Sequence, residues 1–500
     1  MTLNHLFEKT VADYPDQPAL IHSSGRIDWK TLHEAVRRFA RGLQKLGVER
    51  GDHVGIMLPN VPHFFIAYYA ALRLGAIPVP INTLHKGRET INLLEDSETR
   101  VLIVWEGHWL ELCKFAPILD LLKHVIVLGE AAIPGTLSLT RLIAKSTPLA
   151  DILEGEGEDA AVIEFTAGVT GAPKGVILTH NNIISNVTAC REVMSITAKD
   201  VLLAAVPLFH PVGQTLLMHT AVVTGAALEL HPKFDPERIL KSIQQQTCSL
   251  FPAFHSMFKI LLDSSAGCEF NLDKPIRLSI SAGGTLADEL LKDFEARFKT
   301  YILECYTITE TSPVISFNQW RAGRRVGSLG HPIPGVEMKV VNDKGEEVSI
   351  GEVGEIVVKG SNVMRGYINR PRSSAEAIID GWFYTGDLGK MDINGFFYLV
   401  DRLHYRIMKG GFSIYPSEVE EVLYGHPDVA ETAVIPIPDE VMGQDVKACV
   451  VLKEGALVTT EQLANYCRER MAVYKVPAII RIYKDLPHCP SGRINKAEIM

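Results

Sequence analysis

Helix-period and strand-period segments alternate along most of the chain, and that rhythm limits the fold more than any other feature. Thr31–Leu46 (TLHEAVRRFARGLQKL) carries apolar residues at helical spacing and stops before Gly47. Asp52–Met57 reads as a short strand, Phe64–Leu74 as a helix ended by Gly75, and Ile77–Ile81 as a strand again. The alternation returns at Leu202–Leu208, Pro236–Gln245, Cys248–Phe251 and Leu278–Ser281. Parallel strands need long crossovers, usually helical, so this pattern predicts mostly parallel sheets covered by helices.

After about residue 320 the texture changes. Short β-like runs between Gly and Pro turns, as in Gly335–Val341 and Gly354–Val358, predict a small barrel or sheet module. From Asp401 a compact α+β unit is expected. It has helices at Pro416–Tyr424 and Thr459–Ala472, and strands at Ala433–Pro436 and Lys447–Val451. A chain of 500 residues also exceeds what one core usually serves. The expected fold is α/β: a large N-terminal domain over 1–400, made of two βαβ-type subdomains plus a small β-barrel. A small α+β C-terminal domain follows over 401–500.

Composition excludes some functions. Asp and Glu total 59 against 50 Lys and Arg, a net charge of −9 without the basic surplus of a nucleic-acid binder. No apolar run reaches the ~18 residues of a membrane span. Met1–Phe7 lacks the basic-then-apolar order of a secretory signal. The eight cysteines are scattered and form no CxxC pair, so reduced thiols and a cytoplasmic location are expected.

One loop is built for phosphates. Residues 164–175 read EFTAGVTGAPKG, between an apolar run and the strand-like Val176–Leu178. Small residues let backbone N–H groups approach an anion, while Thr166 and Thr170 offer hydroxyls and Lys174 a charge. The spacing does not fit GxxxxGK[ST], so this is not a Walker A loop. Downstream, Tyr306-Thr307-Ile308-Thr309-Glu310 offers a carboxylate to Mg²⁺, and Asp387 in Tyr384–Asp387 offers one to ribose hydroxyls. Asp401-Arg402 can add a second ribose contact, and Lys409–Phe412 is basic and glycine-permissive. Any of these alone is an ordinary turn; their order is informative.

Together the segments resemble the adenylate-forming superfamily of acyl-CoA synthetases, firefly luciferase and peptide-synthetase adenylation domains. Residues 166–175 resemble its TSGTTGxPKG, Tyr306–Glu310 its YGxTE and Tyr384–Asp387 its YTGD. Asp401–Glu420, Tyr474–Pro477 and Pro490–Arg493 resemble its later motifs, so the likeness covers nearly the whole chain in family order. It is closest to fatty acyl-CoA synthetases.

The resemblance implies that ATP and a carboxylic acid give acyl-AMP and pyrophosphate, after which coenzyme A displaces AMP, and that the small C-terminal domain is mobile about a hinge near 401–404. It assigns Thr166, Gly168, Thr170, Gly171 and Lys174 to the triphosphate, and Thr309 and Glu310 to the α-phosphate and Mg²⁺. Gly283, Gly284 and Tyr306 fall to the adenine, Asp387 and Arg402 to the ribose, and Gly410 and Gly411 to the pantetheine arm. His210 falls near the acyl group. Arg493 stands where the family has its adenylating lysine, and Lys496 is the nearby alternative cation. A monomer or homodimer is expected.

The segment Phe209–Gly213 holds no aspartate for a substrate ammonium, which favours an acid without an α-amino group. Leu216–Met218, Ala221–Val223 and Phe251–Phe254 are either an apolar acyl pocket or plain core. A fatty acid is the expected substrate, and an aryl or alicyclic acid the alternative. Val169, Ala167, Thr307, His404 and Arg493 depart from the family pattern. They raise a second alternative, a catalytically impaired AMP- or acyl-AMP-binding protein.

Overall fold

The computed structural model describes residues 1–85, 87–115, 122–130, 133–153, 155–166, 173–245, 247–265, 276–283, 286–318, 323–402, 407–409, 412–439, 443–471, 473–488 and 494–499. The chain divides into two compact units, one of Met1–Glu337 with Val358–Phe383, the other of Met338–Val357 with Tyr384–Met500.

The first unit is built on parallel sheets. One five-stranded sheet runs in the order Ile77–Pro80, His53–Met57, Val101–Trp105, His124–Leu128 and Leu137–Ser138, with neighbouring strands parallel throughout. A nine-stranded sheet has Leu250–Phe254, Val201–Ala204 and Ala227–Leu230 near its middle, and antiparallel strands at both edges. The helix read at Thr31–Leu46 spans Trp29–Lys45, with the Asp28 side chain accepting from Thr31 N at its start. Its buried stripe of Leu32, Val36, Phe39 and Leu43 follows the helical period seen in the sequence.

The strand read at Leu202–Leu208 stops at Ala204. Asn60 takes over there. Its Nδ2 donates to Ala204 O at 2.9 Å and Val206 O at 3.0 Å, and its Oδ1 accepts from Leu208 N at 2.7 Å. A side chain some 140 residues away in sequence thus replaces the ladder and turns the chain. The next apolar segment is not one α-helix. Pro211–Gly213 and Thr220–Thr224 are α, and Gln214–His219 between them is a π-helix. Leu216, Leu217, Met218, Ala221 and Val222 are fully buried core.

In the second unit, Trp382–Met391 continues from Tyr384 and pairs antiparallel with Phe397–Arg402, in line with the sheet module expected there. A separate five-stranded sheet has the order Phe412–Ile414, Ile407–Lys409, Gly443–Leu452, Val429–Asp439, with Ile479–Tyr483 parallel to Gly443–Leu452. Helices Pro416–Tyr424 and Thr460–Arg468 supply Val419, Leu423 and Leu463 to its core. Among the described residues, no helix is long and apolar enough to cross a membrane.

Candidate functional site

The phosphate-type loop is the connection of a β-hairpin. Ala160–Thr166 pairs antiparallel with Lys174–Thr179, and Thr166 faces Lys174 across the ladder. The Thr166 hydroxyl donates to Lys174 O at 3.4 Å, so the two residues that flank the loop are held together by backbone register. Gly168, Thr170 and Gly171 lie outside the described residues, as do Ala167 and Val169.

Lys174 leads to a residue that the sequence reading missed. Its Nζ lies 4.9 Å from the ring centroid of Tyr367. The strand Gly366–Tyr367 pairs antiparallel with Lys174–Thr179, and the Tyr367 hydroxyl donates to Glu310 Oε1 at 2.8 Å. Met364 N also donates to Glu310 O at 2.8 Å, which fixes the backbone behind that carboxylate. Burial, and then the charge of Glu310, push the Tyr367 phenol well above its usual range, so it stays a proton donor. Lys174, Tyr367 and Glu310 thus form one grouping, with a cation over the ring and a carboxylate on its hydroxyl.

Buried asparagines hold the turn that carries Thr309 and Glu310. Thr309–Thr311 is a single 3₁₀ turn. Asn362 Nδ2 donates to Thr311 O at 2.9 Å, and Asn186 Nδ2 donates to Val314 O at 2.6 Å. Tyr306 ends the buried run of strand Ile302–Thr307 and is 7% exposed. The ladder to Val314–Phe317 shifts register between Tyr306 and Thr307, at the position where Thr307 departs from the family glycine. Gly283 follows strand Leu278–Ala282 with φ +84°, a left-handed conformation that favours glycine. Gly284 lies outside the described residues. Glu304 was not singled out in the sequence, yet its Oε1 accepts from Leu286 N at 2.9 Å and so anchors the far end of that loop.

His210 caps the short Pro211–Gly213 helix. Its Nδ1 accepts from Val212 N at 3.2 Å, which leaves Nε2 to carry the proton. Phe254 meets the imidazole edge-to-face at 4.9 Å. Gly213 is required here, because a Cβ would lie 2.1 Å from Pro207 O. Burial pushes the His210 pKa down to about 4, so the ring is neutral at physiological pH. Replacing His210 by glutamine is therefore expected to leave the shape of the pH–rate profile unchanged from about pH 5.5 to 8. Loss of an inflection in that window would contradict the neutral assignment.

In the second unit Asp387 is 3% exposed and sits in the ladder opposite Arg402. Its turn is braced by Gly386 N donating to Glu355 Oε1 at 2.8 Å and by Thr385 Oγ1 donating to Ile356 O at 2.7 Å. Asp401 accepts from Ser417 N at 2.8 Å and so starts the Pro416–Tyr424 helix. Lys496 is held by Glu420 at 2.8 Å, both largely buried. Gly410, Gly411 and Arg493 lie outside the described residues, as do 403 and 404 of the expected hinge. Beside that glycine pair, Lys409 Nζ bonds Asp445 Oδ1 at 2.5 Å.

The Tyr367–Glu310 hydrogen bond supports one expected result. Tyr367→Phe should slow acid-dependent ATP–pyrophosphate exchange about tenfold, the typical worth of a hydrogen bond to a charged group. Unchanged exchange would make the contact purely structural.

The fold and these groupings define an AMP-forming acid–thiol ligase. The chain belongs to the AMP-binding enzyme family, matched at residues 7–368, with the family's C-terminal domain matched at 418–493. It is 34% identical to a long-chain-fatty-acid–CoA ligase of Bacillus subtilis (strain 168), covering 100% of this chain and 94% of that protein. Among solved structures, ATP-bound MatB from Rhodopseudomonas palustris has a TM-score of 0.90 at 28% identity, covering 100% of this chain and 98% of that one. The o-succinylbenzoate CoA synthetase of Bacillus subtilis with its acyl-adenylate has a TM-score of 0.86 at 30% identity, covering 99% and 97%.

Proposed function

We propose that the protein is an ATP-dependent acyl-CoA synthetase acting on a fatty acid. One observation carries the reading: whole-chain likeness at 34% identity to a long-chain-fatty-acid–CoA ligase. The site agrees with it. Lys174 and Glu310 stand together through Tyr367, and the His210–Phe254 contact offers apolar and neutral surface.

In the first half-reaction an oxygen of the substrate carboxylate attacks the α-phosphorus of ATP. The new O–P bond forms as the bond to the β-phosphate oxygen breaks, and pyrophosphate leaves. Lys174, Thr166 and the loop between them hold the triphosphate. Thr309 and Glu310 act at the α-phosphate, with Tyr367 orienting the carboxylate. Mg²⁺ fits Glu310, because a hard oxygen on a braced turn, completed by phosphate oxygens, is the donor set this ion prefers. When bound, the ion offsets phosphate charge. Tyr306 and Gly283 serve the adenine, and Asp387 with Arg402 the ribose. In the second half-reaction the thiolate of coenzyme A attacks the acyl carbon and AMP leaves. Gly410 and Gly411 are proposed to let the pantetheine arm pass, and the chain near 401–404 to be the hinge. A cytoplasmic location fits this chemistry.

The test is to incubate the protein with ATP, Mg²⁺, coenzyme A and a pool of fatty, aryl and alicyclic acids, and to identify thioesters by mass spectrometry. Fatty acyl-CoA supports the reading, and aryl thioesters alone would replace the substrate class. A second reading, an AMP- or acyl-AMP-binding protein, rests on Val169, Thr307 and Arg493 standing in place of family residues. It requires tight acyl-AMP binding without thioester. Arg493→Lys separates the two. A planar guanidinium does not reproduce an ammonium, so lysine should raise exchange about tenfold, equal to ~1.4 kcal/mol at the transition state. A fall would mean that arginine is the adapted residue.

A further inference from the structure

A buried polar cluster lies behind the His210–Pro211 turn, and the reaction above does not use it. Glu164 is 2% exposed, on the strand that leads into the phosphate-type loop and two residues before Thr166. It faces a cavity of about 10 Å³ whose wall includes Pro211, Leu178, Gln214, Thr215 and His219. Gln214 and His219 are the first and last residues of the π-helix.

Three polar atoms of the wall are buried without a partner among the described residues: Glu164 Oε1, Gln214 Nε2 and His219 Nε2. Tyr68 Oη, whose ring is 5.4 Å from that of His219, is a fourth such atom nearby. His219 is already oriented, since its Nδ1 lies 2.9 Å from the Tyr69 hydroxyl. Thr215 is also committed, donating to Ser312 O at 2.9 Å.

The chemistry of the wall selects a guest. Gln214 Nε2 only donates, and a carboxyl oxygen accepts. An apolar guest would leave these groups unpaired at about 1–3 kcal/mol each. A metal cation would face the amide's donor, and an anion would face the carboxyl. A hydroxylic oxygen both donates and accepts, and a cavity of this size holds one. We propose that Glu164, Gln214 and His219 bind a single hydroxylic oxygen, either a buried water or a hydroxyl on the substrate chain reaching past Pro211. The oxygen site stands apart from the ligase reading, and only the substrate source rests on it.

A high-resolution crystal structure of the unmodified full chain is the first test. The expected result is one oxygen peak within hydrogen-bond distance of Glu164 and of Gln214 or His219. Side chains closed on one another with no peak would overturn the proposal. Competition between a plain fatty acid and chain-hydroxylated analogues then distinguishes the sources. A preference of about tenfold for one hydroxylated acid, lost in Glu164→Met, assigns the oxygen to substrate. A peak without such a preference assigns it to water.

A stability readout needs neither substrate nor activity. Burial drives the Glu164 carboxyl well above the carboxylate range, partly opposed by Gln214; Tyr68, Tyr69 and His219 are the other titratable groups packed there. An acid whose folded pKa is raised stabilises the fold fully below its unfolded pKa, and that contribution is lost as pH rises toward the folded value. The Tm of the unmodified protein should therefore fall relative to Glu164→Gln between about pH 5 and 8. A difference that stays constant with pH would overturn the neutral carboxyl as a ligand of that oxygen.

Discussion

Glu310→Gln is expected to lower acid-dependent ATP–pyrophosphate exchange by about 10²–10³-fold, the usual cost of removing one preorganised charge-stabilising group. The substitution keeps the side-chain shape and the hydrogen bond from Tyr367, which lies 2.8 Å away and can donate to an amide oxygen. It removes the negative charge proposed to hold Mg²⁺. Stability should change little, because the turn is held by Asn186 and Asn362 rather than by Glu310. The discriminating measurement is exchange against Mg²⁺ concentration. If the carboxylate binds the ion, excess Mg²⁺ restores part of the rate. Near-normal exchange by Glu310→Gln would remove this residue from the chemistry.

Asp387→Ala should raise the KM for ATP about 100-fold, with a smaller change in kcat. A carboxylate accepting from ribose hydroxyls makes hydrogen bonds worth about 1.5–3 kcal/mol each, and each 1.4 kcal/mol is tenfold in affinity. The effect should be on binding because the proposed ribose contact would be made alike in the ground and transition states. The same protein should bind pyrophosphate normally. An unchanged KM would mean that Asp387 serves only its turn.

Much of the fold was legible because the periods were clean. The helix at Trp29–Lys45 buries Leu32, Val36, Phe39 and Leu43, spacings that the sequence displays directly. Prolines misled the reading elsewhere. Ala433–Pro436 was read as a short strand, whereas the strand runs Val429–Asp439 straight through Pro436 and Pro438. It tolerates them because it ends the sheet order, and an edge strand has N–H groups that no neighbour needs. Strand Leu202–Leu208 was overextended because Asn60, whose side chain ends it, is remote in sequence.

The site was legible where motifs carry it and hidden where contacts do. Thr166, Lys174, Glu310 and Asp387 could be named from local patterns. Tyr367 could not, since it sits in a two-residue strand and its partner Glu310 is 57 residues away. Glu164 was hidden differently. It lies in a strand where the three residues before it, Ala161, Val162 and Ile163, are apolar and buried, so its inward orientation needs the partner π-helix to be seen.

The π-helix also matters for tracing ancestry. A π turn bonds i to i+5 and so holds one residue more than an α turn. Removing one residue from 214–218 would let the segment close with α bonds while His219 and everything after it kept their places. In an alignment, a relative without the extra residue would show a single gap that scoring can slide freely among these neighbours. The imidazole of His219, tied to Tyr69, marks where the sliding must stop. Gln214 and His219, the two ends of that segment, are also the π-helix's polar contribution to the chamber facing Glu164.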